Sequence, residues 1–171
     1  WHYSILPCLP SYYMKLLFKQ RFFSWLDSYD IYDENNNVVF EVKGELSWGH
    51  KLKIYDNNGI HIGTVKEEIF AFLSKFNLYL YDQYVGQIKK ELTFFKPSFI
   101  LDCNNWHVEG NFFEWDYQII DNSENVVAII NKQLFNLTDT YQLEIFNPDD
   151  AIYVLMIALA IDAQKCSRDR N

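Results

Sequence analysis

The feature that most constrains this chain is a run of eleven consecutive apolar residues, 151–161, near its C-terminus. At 3.6 residues per turn this run makes about three helical turns with no polar face. Asn147 is a favoured N-cap, Pro148 suits the first helical position, and Asp149 and Asp150 place negative charge at the positive end of the helix dipole. A helix that is apolar on every side must be enclosed by lipid or by protein.

The length of the run favours protein. A helix that spans a bilayer needs about 20 apolar residues, whereas this run has eleven and is bounded by Asp150 and Asp162. We therefore predict no transmembrane segment, and expect a helix over residues 148–165 that is buried inside a folded domain.

The chain of 171 residues is long enough for one domain with a sizeable core. Residues 1–13 contain two prolines and no periodic pattern, and Met14 resembles an ordinary protein start. We therefore predict a non-native or disordered extension over residues 1–13, a single domain over residues 14–166, and a tail over residues 167–171.

A pattern of strand, polar turn and strand occurs four times before the apolar run. Each first strand ends in an aspartate, namely Asp33, Asp56, Asp82 and Asp121. The turns are rich in Asn and Gly, which tolerate positive φ, so the pattern predicts antiparallel hairpins. A ring of Ca²⁺-binding carboxylates is the alternative for the four aspartates, but their place beside turns favours Asx-turn capping.

A second recurring element is a turn with a large apolar residue at its centre, over residues 23–29, 46–52, 70–76 and 135–141. The central residues are Trp25, Trp48, Phe72 and Leu137. We expect these side chains to plug successive corners of a meander. The alternative is an aromatic-lined mouth that accepts a ligand.

Twelve strands are predicted in total, near residues 15–22, 29–33, 38–45, 52–56, 60–67, 77–82, 85–94, 99–102, 106–109, 116–120, 126–134 and 141–146. Small barrels are filled by their own side chains, whereas larger ones have room for a central element. A mainly β fold, in which a closed antiparallel barrel of about twelve strands encloses the C-terminal helix, covers that helix on all sides and leaves few free sheet edges.

Several motifs carry a resemblance to a known family: Phe23-Ser-Trp-x-Asp-x-Tyr-x-x-Tyr-Asp33, Ser47-Trp-Gly-His-Lys-Leu52, Glu91-Leu-Thr-Phe-Phe-Lys-Pro97, Trp106-x-Val-Glu-Gly110 and the Pro-Asp-Asp helix start. Over about residues 14–164 the chain resembles the bacterial branch of the LURP-one-related family. That family belongs to the tubby C-terminal-like superfamily, which includes phospholipid scramblases. The resemblance implies a twelve-stranded barrel threaded by a hydrophobic helix, and no established activity. The chain departs from the pattern at residues 135–137, where a Trp-Gly corner is expected.

No constellation of catalytic residues is apparent in the sequence. The four histidines (His2, His50, His61 and His107) lack metal-ligand spacing, and there is no glycine-rich phosphate loop or G-x-S-x-G motif. We predict no catalytic residue, cofactor or metal, although an enzyme or scramblase-like lipid-handling protein with an unrecognised site stays open. Three cysteines without a pairing pattern are typical of reduced thiols in a cytoplasmic protein.

Two groups of cations give the only binding signal. The first group shares one face of the first strand, and the second is interleaved with aromatic residues. Together we predict them as an anionic-ligand patch comprising Lys15, Lys19, Arg21, Lys89, Lys90 and Lys96. Its expected partner is an anionic lipid head group or a protein at the membrane surface, by analogy with tubby domains at the level of fold. Ordinary solvated lysines and a structural scaffold are the alternatives, and the net charge of −8 argues against nucleic acid.

Overall fold

The computed structural model describes residues 13–19, 28–92, 97–133 and 140–168. Its strands are β1 (Met14–Lys19), β2 (Ser28–Tyr32), β3 (Val38–Glu45), β4 (Lys51–Asp56), β5 (His61–Glu67), β6 (Lys75–Leu80), β7 (Gln83–Leu92), β8 (Pro97–Leu101), β9 (Trp106–Asn111), β10 (Asp116–Ile120), β11 (Val126–Gln133) and β12 (Thr140–Ile145). Short 3₁₀ turns occupy Phe112–Glu114 and Pro148–Asp150, and the second leads into the helix α1 (Ala151–Arg168).

The strands form one closed antiparallel barrel in the order of the chain. Each strand pairs with the next, and β1 closes the ring by pairing with β12 from Met14 opposite Ile145 to Lys19 opposite Thr140. Each described strand therefore has a paired neighbour on both sides. The predicted fold class is therefore confirmed.

The apolar run forms the predicted helix, and the barrel encloses it. The Asn147 side chain caps the start by accepting a hydrogen bond from the Asp149 backbone N–H at 3.2 Å. All residues from 154 to 163 are buried. The helix packs closely on β5, where a Cβ placed on Gly63 would lie 2.6 Å from Met156 Cε. The helix ends at Arg168, three residues beyond the predicted end.

The two ends of the barrel differ in their connections. At one end, which we call the turn end, two to five residues join β2 to β3, β4 to β5, β6 to β7, β8 to β9 and β10 to β11. At the other, which we call the loop end, β3 joins β4 through residues 46–50 and β5 joins β6 through residues 68–74. The helix starts at the turn end and finishes at the loop end, where Asp162 interacts with Tyr29 and Tyr117 near the starts of β2 and β10. Among the described residues no helix, α1 included, combines the length and the apolar character needed to cross a membrane.

Asx-turn capping is confirmed for three of the four aspartates at the turn end. Asp33, Asp56 and Asp121 each use Oδ1 to accept hydrogen bonds from two backbone N–H groups of their own turn, at 2.8–2.9 Å. The expectation was wrong for Asp82, because β6 and β7 are joined by a two-residue turn. In that turn Tyr81 and Asp82 themselves have positive φ, 47° and 64°.

Candidate functional site

The loop end exposes large apolar side chains on two neighbouring loops. Leu46 is 87% and Trp48 83% exposed on the β3–β4 loop, and Phe70 is 94% and Phe72 96% exposed on the β5–β6 loop. Together with Ile69 these residues form what we call the apolar loop surface. Monomeric proteins seldom expose apolar side chains in such a group unless it takes part in an interaction.

The expectation that Trp48 and Phe72 plug corners of the meander was therefore wrong. The helix and the inward-facing Leu52 and Val65 already fill this part of the barrel, and all of them are buried. The corner side chains consequently have no interior space to enter. Trp25 and Leu137 lie outside the described residues.

Specific contacts hold the two loops together. The Glu67 backbone N–H donates to the His50 carbonyl at 2.7 Å, and the His50 N–H donates to the Glu67 carboxylate at 3.0 Å. Gly49 turns the first loop with φ +84°, and a Cβ at this position would lie 2.5 Å from Ile69 Cγ2. This close approach fixes the β3–β4 loop against the β5–β6 loop.

A groove of about 520 Å³ lies beside these loops. Trp48, Ile69 and Phe70 line its apolar side, and Lys66 and Asn77 are among the polar residues that line the rest. The groove thus joins the apolar loop surface to the charged outer wall of the barrel.

Lysines on the outer wall surround the base of the apolar loop surface. Lys51 is the direct cross-strand partner of Lys66, and Lys75 is that of Lys89. We call these four residues the lysine cluster. Like charges directly opposite one another destabilise a sheet, so this arrangement is costly unless carboxylates or a ligand neutralise it.

Carboxylates neutralise only part of this cluster. Lys51 Nζ lies 2.6 Å from Glu45 Oε2, and Lys89 Nζ lies 3.4 Å from Asp102 Oδ2. Hydrogen bonds from Lys51 and from Lys53 lower the pKa of Glu45, so that carboxyl group stays ionised. Within the described part of the chain no carboxylate lies within ion-pair distance of Lys66 or Lys75.

The two groups of the predicted anionic-ligand patch are far apart. Lys15 is on β1 and pairs with Glu144 at 3.7 Å, whereas Lys89 and Lys90 are on β7. Because β1 and β7 are six positions apart in a closed ring of twelve strands, they lie on opposite sides of the barrel. Arg21, Lys96 and the side chain of Lys19 lie outside the described residues. Anion binding by either group stays a prediction, and only the β7 group adjoins the apolar loop surface.

The lysine cluster and the exposure of the loops were missed by sequence reasoning. Lys51, Lys66 and Lys75 lie on three different strands, and only the register brings them together: Lys66 lies opposite Lys51 on one side and opposite Asn77, two residues from Lys75, on the other. Their alternation with buried Leu52, Val65 and Phe76 was the available signal that they face outward.

Other polar groups give weaker evidence for a functional site than the apolar loop surface and the lysine cluster. His107 Nε2 lies 3.0 Å from Glu109 Oε1, and with Glu124 these residues bring three potential metal-ligand atoms within 4.8 Å of one another; His107 is half-buried and the two glutamates are exposed. His61 contacts the Gly63 carbonyl and the Thr64 hydroxyl at 2.9 Å, as expected for a packing histidine.

Cys103 is a poor candidate for a nucleophile. Burial, with a smaller contribution from Asp102, raises the pKa of the Cys103 thiol. A thiol with a raised pKa is mostly protonated near neutral pH, and the thiolate is the reactive form. The neighbouring Asp102 instead accepts a hydrogen bond from the Gln87 backbone N–H at 2.7 Å, which is a structural role.

A buried carboxyl group lies inside the loop end. Asp162 is 5% exposed, and burial raises its pKa to about 7 although Lys165 opposes the shift. Asp162 Oδ1, Tyr117 OH, Trp115 Nε1 and Gln164 Oε1 are buried without hydrogen-bond partners in the described structure. In the sequence, the only signal for Asp162 was its position at the end of the apolar run.

Comparisons with known proteins agree with this architecture. The profile of the LURP-one-related family matches residues 14–162. The chain is 28% identical over 150 residues to a Bacillus subtilis protein named as uncharacterized protein YxjI, covering 87% of this chain and 92% of the relative. It is also similar in fold to the X-ray structure of a protein from Arabidopsis thaliana, with a TM-score of 0.65 at 18% identity over 90% of this chain and 93% of the other. Because the family profile covers most of the domain, the chain belongs to the LURP-one-related family.

Proposed function

We propose that this protein is a non-enzymatic binding module that attaches reversibly to an anionic membrane surface through the apolar loop surface. The observation that carries the proposal is the exposure of Leu46, Trp48, Phe70 and Phe72 on two adjoining loops at one end of the barrel. Tryptophan favours the interface between hydrocarbon and head groups, and phenylalanine favours the apolar side of it.

The position of the charges supports a membrane as the partner. The lysine cluster lies on the outer wall beside the loops, so it would face lipid head groups when the loop tips enter the interface. Lys66 and Lys75 have no ion-paired carboxylate among the described residues and are available to lipid phosphates. A Lys near an anionic surface contributes about 1 kcal/mol, and burial of a Phe side chain contributes about 1.5–3 kcal/mol.

Both contributions are needed because the chain as a whole has a net charge of −8. General repulsion from an anionic surface has to be overcome locally, by the lysines and by apolar insertion. The anionic leaflet of most cells faces the cytoplasm, so the proposal places the protein there as a peripheral component.

Vesicle co-sedimentation tests the proposal. Wild-type protein should sediment with vesicles that contain phosphatidylserine and much less with vesicles of phosphatidylcholine alone. The triple variant Trp48→Ala, Phe70→Ala, Phe72→Ala should lose most of this binding, and Lys66→Glu with Lys75→Glu should lose it for anionic vesicles. All five side chains are at the surface or in loops, so we expect the variants to fold.

Matched controls come from elsewhere on the barrel. Tyr81→Ala removes an exposed aromatic side chain from the turn end, and Lys15→Glu reverses a charge on the opposite wall. Neither should reduce binding. Equal sedimentation of wild type and the triple aromatic variant would overturn the proposal, as would concentration-dependent self-association that the triple variant abolishes without any vesicle binding.

A further inference from the structure

A second feature of the loop end lies inside the barrel and is independent of the membrane proposal. The helix α1 is apolar through Ile161 and then buries the carboxyl group of Asp162. Asp162 Oδ1 has no hydrogen-bond partner in the described structure, and neither have Tyr117 OH and Trp115 Nε1. Burying polar groups without partners costs free energy, most of all when the group is charged.

Aromatic rings line this part of the interior. Trp115 stacks on Tyr141 with ring centroids 3.9 Å apart, and Phe18 lies 5.1 Å from Tyr29 and 5.7 Å from Trp115. Tyr117 lies 6.4 Å from Trp115 in the same group. Asp162 Oδ1 is shielded from solvent together with Tyr117 OH and Trp115 Nε1, and Asp162 interacts with Tyr29 and Tyr117 of this group. Such surroundings favour its neutral form.

Among the described residues, the groups that interact with Asp162 cannot neutralise a negative charge completely. Tyr29 on β2 and Tyr117 on β10 are uncharged, because burial and Asp162 itself raise the pKa of both hydroxyls further above the ordinary value. Cys166, which interacts with Tyr29, supplies no positive charge. Lys165 on α1 lowers the pKa of Asp162, but by less than burial raises it. The negative end of the helix dipole also disfavours an anion near the C-terminus of α1.

We propose that protonated Asp162 anchors the C-terminal turns of α1, residues 162–168, in the loop end of the barrel, and that loss of its proton releases them. The device is a pH-sensitive switch: a neutral carboxyl group favours the seated helix end, and the released end allows the carboxylate to be hydrated. Residues 151–161 stay enclosed in both states because they carry no ionisable carboxyl group and residues 154–161 are buried.

The direction and the pH range of the switch follow from the raised pKa of Asp162. Burial raises the pKa of Asp162 from its ordinary value of 3.8 to about 7 when the helix end is seated. Protonation therefore stabilises the seated end fully below about pH 4, and this stabilisation is lost as pH rises through about 7. Above that range both states carry the charge, and the equilibrium changes no further.

Hydrogen exchange tests the switch. Amides of residues 162–168 in the wild type should show protection factors, corrected for intrinsic rates, that fall about 30-fold between about pH 5.5 and about pH 8.5. Asp162→Asn and Asp162→Leu should remain protected at both pH values. Asp149→Asn, which changes an exposed carboxylate at the other end of the helix, should behave as the wild type. Carbon-13 NMR titration of the Asp162 carboxyl group in the wild type provides a measurement that does not depend on a variant folding.

Three results would overturn the proposal. They are pH-independent protection of residues 162–168 in the wild type, the same pH dependence in a folded Asp162→Asn or Asp162→Leu variant, and an ordinary titration midpoint near pH 4 for the Asp162 carboxyl group. None of these measurements involves lipid, so failure of the switch and failure of membrane binding are distinguishable.

Discussion

The two ends of this barrel differ in whether their carboxyl groups have hydrogen-bond partners. At the turn end, Asp33, Asp56 and Asp121 are half-exposed, and each accepts backbone hydrogen bonds within its own short turn. At the loop end, Asp162 is buried without a partner for Oδ1, while Trp48 and other large apolar side chains extend into solvent. The turn end is arranged for stability. The loop end keeps its polar groups buried and its apolar groups exposed at a cost in free energy, which is typical of a functional end.

One enclosed helix joins the two ends of the barrel. We therefore expect a charge placed inside this helix to have the largest effect on folding. Leu155→Asp or Ile157→Asp places a charge where the native side chain is buried in the barrel. The cost of burying an unpaired charge is several kcal/mol, comparable to a typical total stability of about 5–15 kcal/mol. We expect no folded protein by circular dichroism.

Ile60→Asp is the matched control for this change. Ile60 is an exposed apolar residue at the turn end, and its backbone N–H rather than its side chain contacts Asp56. This variant should fold. A folded Leu155→Asp protein with native-like thermal unfolding would contradict the enclosed helix.

Replacing a glycine with alanine should destabilise the protein more near the loop end than at the turn end. Gly59 at the turn end has φ +77° and open space around the position of a Cβ, whereas Gly110 near the loop end has φ +120° and would place a Cβ 2.6 Å from the Asp116 carbonyl oxygen. Gly59→Ala should cost about 1 kcal/mol from backbone strain alone, and Gly110→Ala about 3 kcal/mol or more because backbone atoms must also move. Urea unfolding measures both, and equal losses would show that the space around Gly110 does not limit stability.

The smallest expected effect concerns acid stability at the turn end. Hydrogen bonds from Asn37 and Asn125 lower the pKa of Asp33 and Asp121, respectively. Their contribution to stability is therefore present above about pH 4 and is lost as pH falls through the lowered values. The double variant Asp33→Asn, Asp121→Asn should lose less stability between about pH 4 and pH 2 than the wild type.

Urea midpoints across this acid range provide the measurement for the double variant. Asp162→Asn serves as the contrasting control, because it should alter the pH dependence between about pH 4 and pH 7 and leave the acid limb unchanged. An identical acid limb in wild type and the double variant would mean that the turn-end aspartates contribute nothing through their charge.

Much of the architecture could be predicted from local patterns. The Asp-Asn-Asn-Gly turn that starts at Asp56 marks a hairpin because Asn and Gly tolerate positive φ, and β4 and β5 flank it as expected. The uninterrupted apolar run at residues 151–161 requires enclosure on all sides, and a closed barrel supplies it. The separation of Lys15 from Lys89 also follows from strand order once the ring is closed.

The candidate site could not be predicted in the same way. Trp48 and Phe72 have the side chains of core residues, and their exposure depends on the helix having already filled the interior beside them. Lys66 meets Lys51 only through the register of β4 and β5. Both features depend on contacts between residues that are far apart in the sequence, so no local pattern predicts them.

By itself, then, the amino-acid sequence determined the strands, their antiparallel order, the capped turns and the need to enclose one helix, because hydrophobic period and turn chemistry act over a few neighbouring residues. Tertiary structure alone decided which apolar side chains remain outside the full barrel and which carboxyl group is buried within it. Both outcomes depend on competition for a single enclosed volume, and that competition is settled only when all twelve strands have closed around α1.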